Sequence, residues 1–125
     1  MAIKNWDYQT LHMDYSSMYK GNKHPSDIDM LYIGKDKVLI LGEIKNERGS
    51  FKWGQRRLLE TLINGWQGDG LILFIVHDKY WQRGDREVNV AECPVREVYF
   101  KSEKQWRKPH RQITVKEVLD IYMED

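Results

Sequence analysis

The stretch "HPSDIDMLYIGKDKVLILGEIKN", His24 to Asn46, decides how this chain folds. Two short apolar runs, Ile28 to Ile33 and Val38 to Lys45, flank the turn-forming "GKDK" of Gly34 to Lys37, and together they read as a β-hairpin. What strands of a core do not need is charge, yet Asp27 and Asp29 head the first run while Glu43 and Lys45 end the second. A buried carboxylate or ammonium is costly unless it is paired or holds a metal, so the pattern points to a site. Strand side chains alternate faces, which puts Asp27, Asp29 and Leu31 on one side and likewise groups Leu41, Glu43 and Lys45. Asp29 and Glu43 each stand roughly seven residues from the turn centre, so they meet across the ladder.

Two carboxylates brought together repel, and they keep their charge most readily with a cation between them. Hard oxygen donors favour magnesium, manganese or calcium. Lys45 projects to the same side as Glu43, where an ammonium can orient a water molecule or offset charge on a phosphate. The plainer alternative is a surface ion pair between Lys45 and one of the two acids.

Working outward, "DYQTLHMDYSSMYK" (Asp7 to Lys20) sets Tyr8, Leu11, Tyr15, Met18 and Tyr19 on one helical face, with Asp7 as N-cap. After the hairpin, "NERGS" is a loop. A helix is expected from about Phe51 to Trp66, with Leu58, Leu59, Leu62, Ile63 and Trp66 as its apolar stripe. "LILFIVH" (Leu71 to His77) suits a central strand covered on both faces. "DKYWQRGDREVNVAECP" is a long polar connection, "VREVYFK" a last strand, and "TVKEVLDIYME" a closing helix in which Thr114 and Glu117 have capping-box spacing. The expected order is α-β-β-α-β-β-α, a mixed β-sheet flanked by helices and hence an α/β fold.

The chain's 125 residues suit one domain spanning 1–125. The longest apolar run, "LILFIV", is too short to cross a bilayer, and "MAIKNWDYQT" lacks the apolar stretch of a signal peptide. A single cysteine, Cys93, excludes an internal disulfide and a cysteine-based zinc cluster, so a reducing cytoplasm is expected. The formal charge of +1 says little about partners, but its distribution says more. Basic residues gather in "ERGSFKWGQRR" and "KSEKQWRKPHR", each around a Trp, while acids cluster in "PSDIDM" and "GEIK". Basic patches beside a small acidic cluster are what a metal-using enzyme acting on a polyanion needs.

An aspartate, a turn, and a strand ending Glu-x-Lys resemble the PD-(D/E)XK (restriction-endonuclease-like) nuclease superfamily. It includes restriction endonucleases, Holliday-junction resolvases and stand-alone phage nucleases. The matching residues are Pro25 with Asp27 or Asp29, then Glu43, Ile44 and Lys45, and the resemblance spans about the first two-thirds of the chain. It implies that Asp29, Glu43 and the backbone carbonyl of Ile44 hold Mg2+, with Mn2+ as substitute. "PSDID" departs from the pattern by an extra residue; Asp29 is favoured for its place in the strand, leaving Asp27 as a possible further ligand. Gln55, one turn before Leu58 and Leu59, resembles the helix glutamine or lysine that many members set beside the metal and water.

The catalytic set implied is therefore Asp29, Glu43, Lys45 and Gln55. His24, Lys52, Trp53, Arg56 and Arg57, with Lys104, Arg107, Lys108 and Arg111, are the candidates for gripping nucleic acid. The function expected is a metal-dependent endonuclease hydrolysing DNA phosphodiester bonds, reading DNA structure more than sequence, in a cytoplasmic bacterial or phage setting. Cutting two strands with one small domain favours a homodimer, with no membrane partner. The rival expectation is a non-cleaving nucleic-acid-binding or assembly module of the same fold.

Overall fold

The computed structural model describes residues 17, 28–46, 49, 52–77 and 88–123. The helix expected over Asp7 to Lys20 lies outside the described residues except for residue 17, and so do His24, Pro25 and Asp27.

The hairpin forms as its pattern requires. Strand β1 (Met30–Ile33) pairs antiparallel with β2 (Leu39–Asn46), matching Met30 with Gly42 and Ile33 with Leu39. The turn between them carries positive φ at Asp36 and Lys37, a conformation that an aspartate tolerates better than most residues. Trp66 Nε1 donates to the Lys37 carbonyl at 2.7 Å and ties this turn to the far end of the following helix.

That helix, α1 (Trp53–Asn64), carries the chain over to β3 (Gly70–His77), which runs parallel to β2. Parallel neighbours need such a crossover. β3 then pairs antiparallel with β4 (Val95–Phe100), and β4 with a short β5 (Gln105–Arg107). The strand order is β1-β2-β3-β4-β5, and a second helix, α2 (Val115–Met123), follows. This is an α/β fold with a five-stranded mixed sheet and two helices among the described residues.

β3 is buried along nearly its whole length because both faces are covered. On one face Ile72, Phe74 and Val76 join Leu39 and Leu41 of β2 and Tyr99 of β4 beneath Leu59 and Ile63 of α1. On the other, Leu71, Leu73 and Ile75 pack with Ile40, Val95 and Val98 against Val115 and Val118 of α2. Gly70 permits α1 to lie this close: a Cβ there would stand 2.5 Å from Cγ1 of Ile63. The α2 start is the expected capping box. Glu117 N donates to Thr114 Oγ1 at 3.2 Å, and Thr114 N to Glu117 Oε1 at 3.1 Å.

One element corrects the expected order. Residues 105–107, inside the second basic segment, form β5, so the described order is β-β-α-β-β-β-α. Trp106 supplies the reason. Its ring packs 5.4 Å from that of Tyr99, and its Nε1 donates to Glu60 Oε2 at 2.8 Å. The tight turn before it is made by residues 101–104, with Lys104 at φ 52.

Candidate active site at the head of the hairpin

β2 alternates, so Leu39, Leu41, Glu43 and Lys45 face α1 while Ile40 packs toward α2. Leu39 and Leu41 enter the core, and Glu43 continues the same row as a charged group only 4% exposed. Among the described residues it is the only buried charged one. β1 begins only at Met30, so Asp29 lies just before the strand and not within it as expected; continuing the β1–β2 register outward by one residue sets it opposite Glu43.

Three groups meet on this pair. Asp29 Oδ2 accepts the Ile44 backbone N–H at 2.8 Å, which fixes the first acid against the strand bearing the second. Gln55, in the first turns of α1, donates from Nε2 to Glu43 Oε1 at 3.1 Å. The Lys45 ammonium lies 3.4 Å from that same oxygen. Both contacts fall on one Glu43 oxygen, Oε1. Burial and, after it, the neighbouring Asp29 charge raise the Glu43 pKa above its ordinary value; Lys45 and Gln55 pull against that rise.

One atom is left over. Gln55 Oε1 is buried and has no hydrogen-bond partner among the described residues. A buried acceptor without a donor costs about 1–3 kcal/mol, so something else is expected to meet it. The arrangement fits a hard dication. It supplies two carboxylates, one of them destabilised by its like-charged neighbour, and an orphaned amide oxygen close by. No group of three or more His, Cys, Asp or Glu that could hold a metal ion occurs among the described residues. A cation here would complete its shell with amide or backbone oxygens and water, as magnesium does when it binds through one or two carboxylates.

The basic candidates separate. Lys52, the N-cap of α1, and Trp53 are exposed, and the Arg57 guanidinium stacks 5.1 Å from the Trp53 ring centre. Lys52 makes no side-chain capping bond and the first turn holds no acid, so among the described residues no side chain offsets the positive pole of this helix end. Arg56 instead turns to β4, where it bonds Glu97 at 2.6 Å and lies 4.6 Å from the Trp106 ring centre. Arg107 is paired with Glu103, and Arg111 with Glu117 at 3.1 Å. Trp106 faces α1, so Arg107 on the alternate face points to the α2 side, and three strand spacings (~14 Å) separate β5 from β2. The first basic segment borders the acidic site; the second does not.

Arg96 is a residue that the sequence did not single out. Its guanidinium lies 5.7 Å from the Phe74 ring centre, and Phe74 is the β3 partner of Glu43. A lone Arg in an apolar strand carries no signal of its own; only the pairing of β2, β3 and β4 brings it there. His77 ends β3 half-buried, opposite Asn46.

No family model, curated protein or solved structure matches this chain. No helix of the described residues is long and apolar enough to cross a membrane.

Proposed function

We propose that this chain is a metal-dependent nuclease of the PD-(D/E)XK kind, which hydrolyses DNA phosphodiester bonds, reads DNA structure more than sequence and works as a homodimer. The observation that carries the reading is the convergence on Glu43. An aspartate stands opposite it, a lysine follows two residues on along the same strand face, and a helix glutamine bonds the same oxygen. The order hairpin, crossover helix, parallel strand supports it as well.

Asp29, Glu43 and the Ile44 carbonyl would hold magnesium, with Gln55 Oε1 beside them. When bound, the ion neutralises the paired carboxylates and polarises a phosphate oxygen or a water molecule. The chain's own residues do the positioning. Gln55 Nε2 and Lys45 hold Glu43 Oε1, so that the carboxylate would meet a ligand through Oε2. Lys45 is partly exposed, so its ammonium can reach from Glu43 to a phosphate oxygen or to the attacking water. Tying Asp29 to the Ile44 N–H keeps the two acids at one spacing, so little reorganisation is needed as charge develops. Lys52 and Arg57, at the start of α1, would meet phosphates of the bound strand.

The test is cleavage of single-stranded, duplex, flap and four-way DNA and of RNA, with magnesium, manganese or EDTA. Metal-dependent cutting of at least one substrate, lost with Asp29→Asn, is expected. Binding that ignores magnesium, with no cutting of any substrate, would leave the non-cleaving module instead.

A further inference from the structure

On the face of the sheet opposite Glu43 there is a cavity of about 230 Å³ between β4, β5 and α2. Phe100, Ile113, Val118 and Tyr122 contribute to its walls, and Lys108 and His110 to its lining where the chain leaves β5. We propose that this cavity binds a small organic anion, a carboxylate with a short apolar tail, the tail among the apolar walls and the carboxylate at Lys108 and His110.

The volume is a little below that of common ligand pockets (roughly 300–1,000 Å³), which suits a short tail and not a large cofactor. The walls are nearly all apolar, so nothing but hydrophobic burial holds the occupant's body. Charge chooses its head group. Of the cations nearby, Arg107 is paired with Glu103 and Arg111 with Glu117. Lys108 and His110 are exposed and have no such partner among the described residues. The opposing charge lies elsewhere: Asp69 is near enough to Tyr122 to help keep its hydroxyl protonated, after burial itself. An anionic head is therefore disfavoured beside Tyr122 and favoured beside Lys108. Ile121, which also lines the cavity, stands 67% exposed, an apolar side chain that a bound tail would cover. None of this depends on the nuclease reading, since the two sites lie on opposite faces of the sheet.

The experiment titrates the full chain, labelled with nitrogen-15, with octanoate, octylamine and octanamide, following amide shifts. Octanoate is expected to shift Phe100, Ile113, Val118 and Tyr122 saturably, and to bind at least tenfold more tightly than the amine or the amide. Lys108→Glu, at an exposed position that folding does not need, should weaken octanoate at least tenfold and improve octylamine. Equal binding of acid and amine, no saturable shift with octanoate, shifts confined to β1 or α1, or an unaltered octanoate affinity in Lys108→Glu would each overturn the proposal.

Discussion

Replacing Glu43 with Gln removes a charge that the fold holds at a cost. The carboxylate is 4% exposed, and desolvation first and Asp29 second raise its pKa above the ordinary 4.5. Below that value both folded and unfolded chains are protonated, and the group contributes nothing to pH dependence. As pH rises the unfolded chain ionises first while the folded one resists, so stability falls until pH passes the folded pKa. Each unit between the two values is worth ~1.4 kcal/mol. The amide is nearly isosteric and still accepts the Gln55 Nε2 bond, so it avoids this cost without opening a cavity. Glu43→Gln should therefore be more stable than the parent at pH 7–8 in EDTA, with a higher Tm. The gain should vanish near pH 4, and magnesium should restore the parent while leaving the variant unmoved. Thermal melts by circular dichroism at both pH values, with EDTA and with magnesium, read this directly. A variant equally or less stable at neutral pH in EDTA would show that Glu43 is held by Lys45 and Gln55 as a structural ion pair.

Three further outcomes are expected. Magnesium at a hundredfold excess over its dissociation constant should stabilise the parent by about 2.7 kcal/mol, and Asp29→Asn with Glu43→Gln should abolish the shift in a melting titration. Lys52→Ala with Arg57→Ala should weaken DNA binding alike on all sequences and reduce the salt slope by roughly one to two, measured by anisotropy across a salt series, whereas Lys104→Ala with Lys108→Ala should leave the slope unchanged. Thr114→Ala removes the cap of α2 and should cost about 1 kcal/mol in urea unfolding. Its partner Glu117 has a pKa lowered first by the Thr114 backbone N–H, so its stabilising contribution should be present above the ordinary carboxylate pKa and lost as pH falls through the lowered one.

The hairpin was legible because its information is local. Turn residues, two-residue alternation and equal spacing from the turn suffice to oppose Asp29 and Glu43, and β1 and β2 keep that register. Leu71 to Val76 announced a strand covered on both faces, since unbroken apolar residues have no solvent side. Gln55 was found by its helical offset from Leu58 and Leu59, although Leu58 proved exposed and Leu59 buried. What stayed hidden depends on partners far along the chain. Arg56 read as a phosphate ligand, but Glu97, on a strand of its own, claims it. β5 went unassigned within the basic segment because its one core-facing residue, Trp106, sits among charges, and its register comes from β4 alone. The cavity by α2 takes walls from β3, β4, the segment after β5 and α2, so no single window of sequence outlines it.

Lys45 separates an enzyme from a protein that only carries a buried acid beside an exposed one. It lies 3.4 Å from the buried Glu43 Oε1, so as an ion pair alone its loss should cost stability, by leaving that carboxylate beside Asp29 without a cation, and leave any activity of the folded protein intact. As a group that orients water or offsets charge in the transition state, its loss should slow the chemical step on the order of a hundredfold or more. The direct measurement is single-turnover cleavage at saturating magnesium by parent and Lys45→Ala, on the best substrate of the panel, with DNA affinity measured alongside. The expected result is a rate lower by about a hundredfold at nearly unchanged affinity. Equal rates would remove Lys45 from the chemistry and contradict the assignment of this site as a nuclease centre.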